Sequence, residues 1–233
     1  MDVYPMTTFI YDCQNKDILY EEDWPYIVGD ATHITFVNAQ NVTKVGDAFL
    51  LGCKSLESVD LSALSNVTEV GDNFLFGCLN LKSIDLSGLS NATHVGDWFL
   101  GWCDSLKSID LSGLSNVTKL GMGFLSTCRS LKSIDLAHLT NVTEIGDGFL
   151  MSCHSLTSVD LSGLSNVTKL GGAFLGVCER LKSIDLSPLS NVTEIGDGFL
   201  ALCQGLESID LSPLEKNIPN IKKRCKPLKG KIV

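Results

Sequence analysis

Apolar side chains recur along this chain in a block that repeats every 25 residues, and each block predicts the same local structures. Read from Leu81, one block is LKSIDLSGLSNATHVGDWFLGWCDS. Leu81, Ile84 and Leu86 set the pattern L-x-x-I-x-L. In a strand, Ile84 and Leu86 point to one side and the residue between them to the other, while Leu81 closes the turn entering it. The pattern returns at 56–61, 106–111, 131–136, 156–161, 181–186 and 206–211, with a degenerate copy, ATHITF, at 31–36. A second apolar pair follows in each block, Ala92 and Val95 here, Val117 and Leu120 in the next. It leads into G-D-x-F-L-x-x-C, where Gly121 and its equivalents suit a tight bend at positive φ. Asp47, Asp72, Asp97, Asp147 and Asp197 then stand where an N-cap would, ahead of a short helical turn carrying Phe and Cys inward.

No single block can bury its apolar face alone, so the blocks must stack. The expected fold is an α/β solenoid of about eight 25-residue coils with a parallel concave β-sheet. Seven phenylalanines, Phe49 to Phe199 at 25-residue steps, would form one internal spine. Residues 1–30 break the pattern and carry Phe9, Tyr11, Tyr20, Trp24 and Tyr26, which predicts an N-terminal cap. Residues 31–214 form the solenoid. Residues 215–233, with Ile218 and Ile221 closing the last coil, form a C-terminal cap and basic tail. Residues 111–160 and 161–210 also match as a 50-residue pair.

The segments L-x-S-I-D-L, V-T-x-I-G-D-x-F and the Cys junction resemble the leucine-rich repeats of the BspA-like (Treponema-type) family, over about residues 31–214. The family's proline after the strand is mostly serine here, and the L-S-N segment lengthens the unit. The resemblance implies a curved solenoid with the L-x-x-I-x-L strands on its concave face, and binding in place of catalysis.

Stacked coils turn equal positions into ladders. Lys44, Glu69, His94, Lys119, Glu144, Lys169 and Glu194 alternate in sign, which supports register on a solvated face. Asp60, Asp85, Asp110, Asp135, Asp160, Asp185 and Asp210 all fall between the two inward strand positions and face solvent with serines beside them. Like charges about 4.8 Å apart repel. Bonds to neighbouring hydroxyls or amides, and diagonal pairs with Lys82, Lys107, Lys132 and Lys182, are the structural compensation. A surface for a basic partner and a row of cations are the functional readings, although one Asp and one Ser per coil are few oxygens for calcium. Asn66 and its equivalents in N-V/A-T are formal glycosylation acceptors, but glycans on adjacent coils would collide, so backbone-bonding amides are expected. Trp98 and Trp102 share one coil, and both cannot be core: one packs over a neighbouring coil, or one is an exposed contact.

Composition narrows the function. The chain has 233 residues, 44% of them hydrophobic and 19% charged, enough to build a core and too apolar for a disordered chain. Nothing approaches a membrane-spanning length of apolar residues. Residues 215–233 hold seven Lys/Arg against Glu215 alone, a net +6, while residues 1–214 hold 11 basic and 26 acidic residues, a net −15. So acidic a body disfavours nucleic acid. The acidic start lacks a signal-peptide pattern. Of nine cysteines, seven keep the 25-residue step from Cys53 to Cys203. That spacing marks small buried residues in a reducing compartment, with Cys225 in the basic tail the most reactive. Neither metal-ligand spacing nor a nucleophile, base or phosphate-loop motif occurs, so no metal, cofactor or catalysis is expected. The chain therefore reads as a non-enzymatic scaffold in the cytoplasm, binding a protein partner with a basic element through the concave Ser/Asp/Lys face. A cell-surface adhesin and a structural spacer are the alternatives.

Overall fold

The computed structural model describes residues 7–20, 28, 30–218 and 221. The cap residues Trp24 and Tyr26, Cys225 and the basic tail from 222 onward lie outside the described residues. Parallel strands stack as a solenoid with two strand-bearing sides. On one side eight two-residue strands, from Ile18–Leu19 and Lys44–Val45 to Glu194–Ile195, make a continuous sheet. Most neighbours in it are offset by 25 residues, as in Lys119↔Glu144 and Glu144↔Lys169. On the other side the L-x-S-I-D-L segments pair in a four-stranded sheet, Thr8–Asp12 to Ser83–Asp85, and in a two-stranded one, Ser133–Asp135 with Ser158–Asp160. Residues 106–111 and 181–186 run between them without strand pairing. Both sheets begin before residue 31, because Thr8 pairs with His33 and Ile18 with Lys44.

The core is one cluster threaded by stacked rings. Phe49, Phe74, Phe99, Phe124, Phe149, Phe174 and Phe199 lie 4.9–5.8 Å apart between centroids with interplanar angles of 6–11°. Phe36 and Tyr11 prolong the column toward the N-terminus at a tilt. Each ring touches an identical ring above and below.

The G-D-x-F-L-x-x-C segment corrects two expectations. It is no helix: among the described residues the helical elements are 3-10 turns such as Ser87–Leu89 and one α-helix, Ser212–Glu215, so "α/β" overstates the helix. The segment is a chain of tight turns instead. The Leu51 N–H donates to the Ala48 carbonyl and the Cys53 N–H to the Leu50 carbonyl. Left-handed residues sit at every second position, Ala48 at φ 56°, Leu50 at 53° and Gly52 at 66°, as turns with a positive third residue demand. A helix would keep its N–H groups to itself. Here the Ala48 N–H reaches the Asp72 carbonyl and the Leu75 N–H reaches the Phe49 carbonyl, joining coil to coil. Leucine recurs at the middle left-handed position, from Leu50 to Leu200, all buried. A bulky residue is strained there, by about 1–2 kcal/mol, and burial of its side chain, worth about 1.5–3 kcal/mol, offsets the strain.

The second correction concerns the glycine before each aspartate. Gly121 and its equivalents have no positive φ. They are glycine because backbones touch there: a Cβ on Gly146 would lie 2.7 Å from the Gly121 carbonyl carbon. Likewise the aspartates do not cap. Asp47 Oδ1 accepts the backbone N–H of Asp72 at 2.9 Å, and Asp72 Oδ1 that of Asp97 at 2.7 Å, so each carboxylate clasps the next coil.

Phe124 sits mid-column with no exposure. Phe124→Ala is expected to cost about 3–5 kcal/mol, read as a lower urea midpoint, because two flanking rings lose their partner. An unchanged midpoint would refute the column.

Candidate functional site

The exposed strand face is built by the strand period. Within Ser83–Asp85, Ser83 and Asp85 are exposed and Ile84 is half-buried against the core. Asp60, Asp85, Asp110, Asp135, Asp160, Asp185 and Asp210 are all exposed, and so are Lys82, Lys107, Lys132 and Lys182. Each of the seven aspartates uses Oδ1 in the same way. It accepts the backbone N–H two residues on, at 2.8–2.9 Å, from Ser62, Ser87, Ser112, Ala137, Ser162, Ser187 and Ser212. The carboxylate thus holds the turn that leaves the strand, and the expected bonds to amides are there. The Ser87 hydroxyl and amide hold the Asp85 carboxyl below its ordinary value, and the Ser112 amide and hydroxyl do the same for Asp110. The Ser162 amide and hydroxyl likewise lower Asp160.

The diagonal Asp–Lys pairs do not form among the described residues. Lys82 Nζ lies 2.8 Å from Glu57 Oε1, its counterpart in the preceding coil, since equal positions sit closer than diagonal ones. Between the adjacent aspartates the surface opens. Where strand pairing lapses after Asp85, a recess of about 320 Å³ is lined by Ile84, Asp85, Ser87, Asp110 and Ser112.

Other ladders serve the scaffold. Lys44–Glu69 at 2.6 Å, Lys119–Glu144 at 2.8 Å and Lys169–Glu194 at 3.8 Å are the ion pairs that alternating sign predicts. Asn66, Asn91, Asn116, Asn141, Asn166 and Asn191 each donate Nδ2–H to a backbone carbonyl of the previous coil at 2.7–2.9 Å. Cys78, Cys103, Cys128, Cys153 and Cys178 are buried, and each thiol donates to a leucine carbonyl 28 residues back. Among the described residues no group of three or more His, Cys, Asp or Glu could hold a metal ion, and no helix is long and apolar enough to cross a membrane.

Trp98 and Trp102 divide as their spacing foretold. Trp98 is half-buried, its ring edge-on to Phe76 at 5.7 Å and lying over Gly123, where a Cβ would strike it. Trp102 is exposed, with the Arg129 guanidinium 5.5 Å from its ring centre. Sequence reasoning passed over the residue beside Trp98. Met122 replaces the coil-clasping aspartate and is exposed, and with Trp98, Met151 and Gly148 it lines an open hollow of about 300 Å³. Its signal was present in the sequence: G-D becomes Gly121-Met122 there and Gly171-Gly172 two coils on.

A family model described as a BspA type leucine-rich repeat region matches the chain in six copies, over residues 29–140 and 99–225. Among solved structures, a leucine-rich repeat protein of Treponema pallidum is 22% identical, with a TM-score of 0.54 over 93% of this chain and 88% of that one. A leucine-rich repeat protein of Bacteroides ovatus is 24% identical with a TM-score of 0.46, covering 77% of this chain and 55% of that one. The first of these likenesses shows the fold. No curated protein matches the chain.

The buried thiols give a pH dependence. Burial pushes the Cys128 thiol up to about 12 from 9.0, and those of Cys78, Cys103, Cys153 and Cys178 up as well. A pKa raised on folding gives stability that is complete below the unfolded value and is lost as pH climbs toward the folded one. The urea midpoint should therefore fall between pH 9 and about 12, and less steeply in Cys128→Ala. At pH 8 these five thiols should resist a thiol reagent until urea is added; rapid native labelling would contradict their burial.

Proposed function

The chain belongs to the BspA-type leucine-rich repeat family, and from that membership we propose that it is a non-enzymatic scaffold that binds a partner protein through the Ser/Asp/Lys face of its L-x-S-I-D-L segments, the concave face of the solenoid. The recess between Asp85 and Asp110 carries this reading. Each carboxylate is fixed by its bond to the serine amide, so little side-chain freedom remains to be lost when a ligand arrives. A lysine or arginine of the partner, entering the recess, meets two carboxylates at once. The partner is accordingly a protein with a basic element. A reducing compartment, the cytosol, suits a scaffold whose ladder thiols are free.

Asp85→Asn combined with Asp110→Asn tests this. Asparagine keeps the oxygen that accepts the serine amide, so the fold should hold and the urea midpoint should stay level or rise as repulsion is relieved. Capture of the basic partner should fall about tenfold or more. In the unaltered chain the attraction should weaken with salt, the screening length being about 8 Å at physiological ionic strength. With Asp85, Asp110 and Asp160 held below 3.8, binding should persist from pH 8 down to about 5. Equal capture by the double variant would overturn the assignment.

A further inference from the structure

A second surface lies on the turn side, where the repeat breaks its own rule. The position after each corner glycine reads Asp47, Asp72, Asp97, Met122, Asp147, Gly172, Asp197. Where aspartate is present its Oδ1 clasps the next coil, as Asp97 does Met122 and Asp147 does Gly172, at 2.7 and 2.6 Å. Met122 and Gly172 offer no carboxylate to the coils that follow them. One departure puts a thioether in the surface and the other removes a side chain. The hollow of about 300 Å³ is bounded by both.

Its walls are soft and apolar at one end and acidic at the other. Trp98 and Met122 begin it, Met151 and Gly148 continue it, and Asp147 and Asp197 border it, while no lysine or arginine lines it. From the coil of Trp98 to that of Asp197 is four coil steps, about 19 Å at 4.8 Å per step. That is the length of about six residues of extended chain. Tryptophan and methionine are the side chains enriched where proteins meet, and methionine adapts to varied apolar shapes. A scaffold position would have kept the aspartate.

We propose that this hollow is a second binding site, taking an extended segment of a partner protein that carries an apolar side chain beside a lysine or arginine. The apolar side chain lies on Trp98, Met122 and Met151, and the cation lies toward Asp147 and Asp197. The charge of the border selects the cation, and the sulfur and indole select the apolar neighbour. The site is separate from the recess at Asp85 and Asp110, and its failure would leave the strand-face reading standing.

Four fluorescein-labelled eight-residue peptides serve as the probe, with Leu or Ser at the third position and Lys or Glu at the sixth, in an otherwise Ser/Gly chain. Binding to the full-length protein is read by anisotropy. The Leu/Lys peptide should bind at least tenfold more tightly than the other three. Met122→Asp restores the repeat residue, so the urea midpoint should not fall, yet affinity for the Leu/Lys peptide should drop at least tenfold. Asp147→Asn with Asp197→Asn should erase the preference for Lys over Glu. The Asp85→Asn, Asp110→Asn protein should bind the peptide as the parent does. Equal binding of all four peptides, no binding by any, an unaffected Met122→Asp protein, or loss in the Asp85/Asp110 variant would each overturn the proposal.

Discussion

Backbone touches backbone at one corner of every coil, and the rest of the molecule follows from that contact. At Gly146 there is no room for a methyl group between one coil and the previous one. The coils close up until peptide groups meet, and that distance fixes the step of everything else. Phenylalanine rings settle at 4.9–5.8 Å because their backbones are already spaced so. The carboxylate of Asp72 reaches the amide of Asp97, and Asn116 reaches the Ser90 carbonyl, for the same reason. No element is stable by itself; each N–H in the turn segment is satisfied locally or by the neighbour.

The ladders were legible in the sequence because a fixed period leaves stacking as the sole way to bury them. Phe49 to Phe199, the alternating Lys119–Glu144 pair and the asparagine amides fell where the repeat put them. The turn segment was not legible. Phe99 and Cys103 stand four apart, a spacing that also suits a helix face, and nothing local announces that Leu100 adopts φ 53°. That conformation pays off only once the adjoining coil supplies its hydrogen-bond partners, which is information held 25 residues away. The same distance hid the true duties of the aspartates and of Gly121. Of the strand face, the exposure of Asp85 and Asp110 was readable, but the recess between them arises from a lapse in pairing that the near-identical sequences of adjacent coils do not mark. The hollow at Met122 is the reverse case, where a departure from the repeat lay in view and its neighbours in space did not.

Rigidity and recognition are divided between different positions of the same unit. Inward positions vary little, and the corner glycine and the amide ladders hold the coils. Outward strand positions carry a uniform pattern of carboxylates, whereas outward turn positions carry Phe76, Trp98, Met122, Met151 and Leu202. A uniform face is suited to reading charge, and an irregular one to reading shape.

The alternating ion-pair ladder bears on how such a chain can lengthen. A copying error that inserts a single 25-residue unit after Glu144 would preserve every hydrogen bond and every stacked ring, yet set two glutamates side by side. An insertion of 50 residues leaves the sequence of signs intact, and residues 111–160 and 161–210, with Lys119 and Glu144 answered by Lys169 and Glu194, are such a pair. Backbone geometry counts in single coils, but electrostatics counts in twos, so the heritable quantum of growth for this array is a couplet.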